Sequence, residues 1–323
     1  MSTADEDLQA PAKPATPERP AALRRIWDSD LGWSFRRSPV AVVSAFAVAL
    51  LVLSAVFAPL IAPYDPFNPA TLNLMNGFSE PMTPIAFTGD VFWLGADDQG
   101  RDVLSAILYG LRISLFVGFM AVAFAMLLGV TLGLIAGYVG GWTDTIIMRI
   151  ADVQLTFPSI LVAMLIFGIA KGVIPIDMRD QMAIWVLILA IGLSDWVQFA
   201  RVVRGATLVE RRREYVEAAR MLGRPAPVIM VRHILPNVLS PVLVIATISL
   251  ALAIIAEATL SYLGVGAPPT QPSLGTLIRI GQGFLFSGEW WILFFPAGTL
   301  LALALSVNLL GDWLRDALNP KLR

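Results

Sequence analysis

The sequence predicts an all-α membrane protein with six transmembrane helices. Of its 323 residues, 57% are apolar and 15% are charged, and the mean hydropathy is +0.72. Soluble globular domains carry a more polar mixture, so this composition excludes them. A helix crosses the bilayer core with about 20 apolar residues. Runs of about that length lie at 40–61, 113–137, 147–170, 183–203, 238–260 and 291–310.

The segment before the first apolar run has a different composition. Residues 1–25 are rich in Ala, Pro, Asp, Glu and Thr and contain few large apolar side chains. This composition is typical of disorder, and the segment lacks the basic start and short apolar core of a signal peptide. We therefore expect a disordered tail, followed at 26–61 by a membrane-proximal segment and a retained first transmembrane helix.

Basic residues are divided unequally between the two sides that six spans define. One side holds 18 of the 23, among them eight arginines at 201–232 between the fourth and fifth spans. The other side holds Arg101, Arg112, Lys171, Arg179 and Arg279. Because Lys and Arg concentrate on the cytoplasmic side, we expect both termini and the 201–232 segment in the cytoplasm. External segments then lie at 62–112 and 264–290, and their prolines disfavour regular helix there.

Several chemical functions are excluded or disfavoured by absent residues. There is no GxxxxGK[ST] motif, so the chain does not bind nucleotide by the P-loop route, and any ATPase that drives it is another polypeptide. There is no cysteine for a disulfide, thiolate or Cys-based metal site. The one histidine, His233, leaves little from which to build a metal site. We expect no cofactor, no metal and no nucleic-acid partner.

The segment between the fourth and fifth spans has a marked residue spacing. Its key positions are Glu217, Ala218, Ala219, Gly223, Leu235 and Pro236. We expect a helix at 207–222 that Gly223 ends in a left-handed conformation. A second short helix at 227–233 would then be separated from the fifth span by Pro236.

The first of these helices has the residues for binding a groove on a partner. Ala218 and Ala219 allow close approach of the helix backbone, Glu217 offers a carboxylate, and Tyr215 with Met221 or Leu222 supplies apolar anchors. The alternative is a basic helix that lies on anionic lipid. Lipid binding accounts for the arginines, but it does not require the spacing of the small residues.

This spacing resembles the cytoplasmic EAA loop of ABC importer permeases. Other segments resemble the dipeptide/oligopeptide type of that family, and the resemblance runs from 33 to 323. They are APYDP at 62–66, LGADDQGRDVLSAILYG at 94–110, AEATLSYLG at 256–264 and NLLGDWLRDALNP at 308–320. His233 stands where some EAA loops carry isoleucine, a variant that is normal in the peptide branch.

The resemblance implies a type I ABC importer permease fold in the bacterial inner membrane, with 113–323 as a five-helix core. It implies a second permease, two cytoplasmic ATPases and an external substrate-binding protein as partners, and peptides or similar small solutes as cargo. The loop at 204–237 would contact the ATPase through Tyr215, Glu217, Ala218, Ala219, Gly223, Leu235 and Pro236.

Two further groups of polar residues are candidates for function. Asp97, Asp98, Arg101 and Asp102 in the external 62–112 loop are candidates for contact with the binding protein or a peptide terminus. Local hydrogen bonding within that loop is the alternative. Asp195 and Glu257 lie in apolar spans, where acids are candidates for a transport pathway, although packing or capping is the more common role.

Two interpretations from other classes compete with the ABC permease. A secondary transporter or channel could use Asp152, Asp195 and Glu257 as a proton relay, but such a relay gives no reason for the loop spacing. Asp152 could instead pair locally with Arg149. An intramembrane enzyme with Ser194 as nucleophile lacks a base in the spans, because His233 is in the loop.

The spans contain one motif for close helix packing, and the sequence does not identify the substrate. Gly129, Gly133 and Gly137 form a strip for close helix approach, either within this subunit or against the second permease. Dipeptides, longer peptides, metal chelates and glycosides are all compatible with the sequence, because fold and motif do not fix the solute.

Overall fold

The structure is a computed structural model that describes residues 30–67, 73–84 and 91–318. The tail predicted at 1–25 lies outside these ranges. Within them the chain is mainly helical, and the β pairing consists of two isolated bridges, Pro84 with Val91 and Ala96 with Asp102. The all-α prediction is therefore confirmed for the described residues.

The chain divides into a small unit up to Pro39 and a large unit from Val40 onward. Numbered in chain order, the described helices are α1 (Asp30–Arg37), α2 (Pro39–Val56), α3 (Ala58–Ile61), α4 (Val103–Val139), α5 (Gly141–Leu155), α6 (Ser159–Val173), α7 (Arg179–Glu210), α8 (Glu214–Met221), α9 (Ala226–Ile229), α10 (Leu235–Tyr262), α11 (Leu274–Gln282) and α12 (Trp291–Leu318).

Five helical segments in the described ranges are long and apolar enough to cross a membrane, and a bent pair makes a sixth if it forms one span. This pair, α5 and α6, occupies the predicted third span and bends by 97°. The span predicted at 147–170 is therefore broken into two helices. Pro158 precedes α6 in an extended conformation, and a proline restricts the residue before it and breaks the hydrogen-bond ladder.

The centre of the large unit is the packing of α4 against α7. The glycine strip of α4 faces α7 at close range. A Cβ atom on Gly133 would lie 2.6 Å from the Ala200 carbonyl oxygen, and one on Gly137 would lie 2.7 Å from Thr207 Cβ. No side chain larger than hydrogen fits at these distances, so the strip serves packing within this subunit.

The 264–290 segment, predicted to be external, is more regular than its prolines suggested. Helix α11 lies there and packs against α10 and α12. The side chain of Ser273 caps it by accepting a hydrogen bond from Thr276 N, as expected for a serine N-cap. The three prolines of the segment all precede this cap, so they restrict the approach to the helix and leave its interior intact.

The segment between α7 and α10 differs from its predicted helices. Helix α7 continues to Glu210, a turn follows, and α8 begins only at Glu214, so the single helix expected at 207–222 is divided. Pro236 does not separate the second helix from the fifth span. Helix α9 continues through a π-helical turn at Met230–Ile234 into α10, where the Leu235 N–H bonds the Met230 carbonyl. Such a turn leaves room for a proline near the start of a helix.

Candidate functional site

Helix α8 presents one face to the protein and one outward. Val216 and Ala219 are buried, whereas Glu217 and Ala218 are exposed. Exposed Met221 and Leu222 continue the outward side at its C-terminal end. The two alanines of the motif are therefore on different faces. Ala218 leaves the outward surface flat, and Ala219 lets the helix lie close to the rest of the loop.

Gly223 ends α8 as predicted. Its φ is +71°, and its N–H donates to the Arg220 carbonyl at 2.9 Å while the Arg224 N–H donates to the Ala219 carbonyl at 3.2 Å. These two bonds form a Schellman motif, which places a left-handed residue, usually glycine, just after the helix. The chain direction after α8 is thus fixed by one residue without a side chain.

Tyr215 connects the helices on either side of the loop. Its hydroxyl donates to Glu210 Oε2 at the end of α7 at 2.6 Å and accepts from Asn237 Nδ2 in α10 at 3.0 Å. Asn237 Nδ2 also donates to the His233 carbonyl at 2.9 Å. Burial is the main cause that raises the pKa of the Tyr215 phenol, so the phenol keeps its proton for the bond to Glu210. The expected apolar anchor is therefore also a polar bridge.

Several loop arginines bind protein groups. Arg204 makes a two-point ion pair with Asp144 of α5, in which the distance from Nη2 to Oδ2 is 2.6 Å. Arg211 donates a hydrogen bond to the Gly137 carbonyl at 2.9 Å. Arg201 pairs with Asp152 at 2.6 Å, which corrects the expected local pair of Asp152 with Arg149. These contacts join α7 to α5 and to the end of α4.

The acidic cluster of the 62–112 loop holds its own loop together. Asp97 pairs with Arg101 at 2.6 Å, with both side chains buried. Asp102 caps α4 by accepting from the Ser105 N–H at 2.9 Å. Burial raises the pKa of Asp102. Burial and the negative charge of Asp97 together raise the pKa of Asp98. The local hydrogen-bonding alternative is thus observed, and contact with an external partner stays a prediction for which the partly exposed Asp98 is best placed.

The two intramembrane acids have unlike surroundings. Glu257 is fully buried in α10 and accepts from the Ser261 hydroxyl at 2.7 Å. Its Oε2 has no hydrogen-bond partner among the described residues. Asp195 in α7 is partly buried. Neither lines the cavities described below, and a pathway role for them stays a prediction.

Two family models match the chain. The binding-protein-dependent transport system inner membrane component matches residues 129–323, and the N-terminal TM domain of oligopeptide transport permease C matches residues 26–80. The first of these covers more than half of the chain. This protein is a binding-protein-dependent inner-membrane permease.

Similar proteins match the sequence of this permease over nearly its whole length. The oligopeptide transport system permease protein OppC of Bacillus subtilis is 38% identical over 92% of this chain and 90% of its own length. The dipeptide transport system permease protein DppC of Haemophilus influenzae is 36% identical over 93% of this chain and 95% of its own. The glutathione transport system permease protein GsiD of Pectobacterium atrosepticum is 38% identical over 94% of each chain. The expected ABC importer permease of the dipeptide/oligopeptide type, with its type I fold and inner-membrane location, is confirmed.

The permease also contains a large cavity that sequence reasoning missed. Its volume is about 680 Å³, within the range of small-molecule sites. The walls come from the first turns of α4, from α7 and from the external segments. They include Phe67, Tyr109, Arg112, Phe116, Ile184 and Gln271. Arg112, one of the few basic residues on the predicted outer side, was the one signal in the sequence that could have marked this cavity.

Proposed function

We propose that this permease is one of two membrane subunits of an ATP-driven peptide importer and that α8 couples it to the cytoplasmic ATPases. The observation that carries this proposal is the outward face of α8, where Glu217 and Ala218 are exposed on a helix that Gly223 ends. Peptide cargo is supported by the relatives, which are transport system permease proteins for oligopeptides, dipeptides and glutathione.

Contacts within the loop offer a route for the motion of α8. Tyr215 bonds to both α7 and α10, so a displacement of α8 pulls on the inner ends of two transmembrane helices. The Arg204–Asp144 ion pair then carries the displacement from α7 to α5. Differential contact of the ATPases with α8 in their open and closed forms would shift the balance between inward-open and outward-open states.

The proposed orientation places α8 and both termini in the cytoplasm. Its support is the excess of basic residues on that side, including the loop arginines. The external segments at 62–112 and 264–290 then face the binding protein. The large cavity beside Arg112 would form this subunit's share of the outer part of the transport path, and the second permease would close it.

Uptake into membrane vesicles tests the proposal. Vesicles would carry this chain with its second permease and ATPases, and the binding protein would be added with a labelled dipeptide. We expect uptake that requires ATP hydrolysis and persists when a protonophore collapses the proton gradient. Uptake that survives removal of the ATPases but stops with the protonophore would support the secondary-transporter alternative.

A further inference from the structure

A second cavity on the proposed outer side collects most of the basic residues found there. Lys171 at the end of α6, Arg179 at the start of α7 and Arg279 in α11 all line it. Of the two other basic residues on this side, Arg101 is paired with Asp97 and Arg112 lines the larger cavity. Two consecutive helices and one that is distant in sequence thus bring their cations to one place.

The charge of this cavity is not balanced by the protein. Asp180 is the one acid in its walls, against three cations. In the described part of the chain, neither Lys171, Arg179 nor Arg279 forms an ion pair. Two positive charges are therefore left for an external anion, and cations brought together without one would repel each other.

The two arginines are held so that their guanidinium groups remain available. Arg179 Nε donates to the Ile174 carbonyl at 3.2 Å, which fixes the side chain and leaves its terminal nitrogens free of hydrogen bonds to described residues. Arg279 lies against Gly264, whose φ is +79°, and a Cβ atom at that position would be 3.2 Å from Arg279 Nη1. The glycine thus leaves space for the arginine at the end of α10.

The remaining walls of the cavity are apolar. Phe167 and Ala183 are buried, and Pro268 and Pro269 complete the lining. The volume of about 120 Å³ is enough for one oxyanion group with a few waters.

We propose that this cavity binds the oxyanionic end group of a ligand, a carboxylate or a phosphate. Guanidinium groups match such groups by paired hydrogen bonds. The group could belong to the C-terminus of a transported peptide, which rests on the proposed function, or to an anionic phospholipid of the outer leaflet, which does not. Both sources share the chemistry that Lys171, Arg179 and Arg279 recognise.

Binding to the purified transporter complex, without binding protein or ATP, tests the site. The complex is reconstituted in phosphatidylcholine nanodiscs and titrated with Ala-Ala, with Ala-Ala amide as the uncharged comparison. A second titration supplies phosphatidylglycerol in the nanodisc, and hydrogen exchange of residues 171–183 and 264–279 reports occupancy. We expect saturable binding of at least one oxyanion probe, with Ala-Ala amide binding at least about tenfold more weakly than Ala-Ala if the peptide is the source.

Two triple variants separate charge from fold. In K171Q/R179Q/R279Q we expect the affinity for the oxyanion probe to fall by about tenfold or more. The charge-preserving K171R/R179K/R279K should lose less, because it keeps all three charges and one guanidinium group. Lys171→Gln alone, at an exposed position, should weaken binding in the same direction if the triple variant does not assemble. Protection by phosphatidylglycerol without Ala-Ala binding would assign the group to lipid, and the converse to peptide.

The inference is overturned if neither probe binds the wild-type complex. It is also overturned if every probe that binds the wild-type complex binds K171Q/R179Q/R279Q as tightly. Because this measurement uses no ATP, its failure is distinguishable from a failure of ATP-driven uptake.

Discussion

Tyr215 donates a hydrogen bond from its phenolic hydroxyl to Glu210 Oε2 at 2.6 Å, across the turn between α8 and α7. The same hydroxyl accepts from Asn237 of α10. One side chain of α8 is therefore bonded to both neighbouring transmembrane helices. In an importer whose motor acts on α8, this bridge is a direct polar connection from the motor to the spans.

Tyr215→Phe should lower the uptake obtained per ATP hydrolysed while the ATPases still co-purify with the permease. The change removes the hydroxyl but keeps the ring, at a stability cost of about 1 kcal/mol. Tyr262→Phe is the matched control, because it removes a phenol hydrogen bond of 2.6 Å to Gln282 on the opposite side. Paired uptake and ATPase assays give the ratio, and a ratio equal to wild type in Tyr215→Phe would remove the bridge from the coupling route.

The same bridge should be insensitive to pH across the neutral range. Burial raises the pKa of Tyr215 above its ordinary value of about 10. A raised pKa means that the bridge is fully present below the ordinary value and is lost as pH rises through the folded value. Between pH 6 and pH 9, the coupling difference between wild type and Tyr215→Phe should therefore stay constant, as measured by the uptake-to-ATPase ratio. A difference that changes steadily over this range would contradict the neutral-phenol bridge.

Gly223→Ala should destabilise the end of α8 by about 1 kcal/mol, because an L-residue is strained at positive φ. No atom lies within 4 Å of a Cβ at this position, so backbone strain is the whole expected cost. Gly205→Ala is the control, since its Cβ also meets nothing, and this glycine lies inside helix α7 without positive φ. Hydrogen exchange should speed up at 219–224 in the first variant only. Equal exchange in both variants would count against the left-handed cap.

Gly133→Val should impair folding or assembly, because its side chain would overlap the backbone of α7 at Ala200. Overpacking of this kind costs about 1–3 kcal/mol, and more where backbone has to move. Gly168→Val places the same side chain on α6, where a Cβ contacts nothing. Thermal unfolding in detergent compares the two. A melting temperature lowered equally by both would show that close helix approach is not the cause.

Asp102 should make stability depend on pH in a predictable direction. Burial raises its folded pKa above the ordinary 3.8, so the folded state takes up the proton more readily than the unfolded state. Its contribution to stability is therefore fully present at a pH below its ordinary pKa, and it is lost as the pH rises through its folded-state pKa. Asp102→Asn keeps a capping oxygen without the titration.

Melting temperatures of wild type and Asp102→Asn between pH 4 and pH 7 check this effect. The stability of the wild type relative to the variant should be highest at the acidic end and fall toward neutral pH. Asp98, whose pKa is also raised, is present in both proteins, so its contribution to stability cancels when the two are compared. Parallel pH profiles would contradict the assignment to Asp102.

Composition predicted the membrane class and most spans because bilayer crossing depends on the length and hydropathy of a segment. The bend between α5 and α6 was missed because hydropathy is continuous through Pro158, although the proline itself was a local signal. The continuity of α9 with α10 was missed because Pro236 predicted a break between them. A π-helical turn accommodates Pro236, and residue spacing does not reveal such a turn.

Gly223 was predictable because a left-handed helix end is a local property of the chain. The sequence did not predict the Tyr215 bridge or the cavity lined by Lys171, Arg179 and Arg279. Each joins residues from different helices, and a single sequence contains no direct signal of which helices become neighbours. The division of Ala218 and Ala219 between two faces likewise depends on where α8 packs.

The most direct test of ATPase coupling through α8 is Ala218→Trp, assayed by ATPase co-purification with a tagged permease and by ATP-driven dipeptide uptake. Ala218 is exposed, so the permease itself should still fold and insert. Ala226→Trp places the same bulk at an exposed alanine outside α8. We expect Ala218→Trp to lose ATPase co-purification, uptake or both, and Ala226→Trp to keep them. Co-purification and uptake at wild-type levels in Ala218→Trp would contradict coupling through this helix.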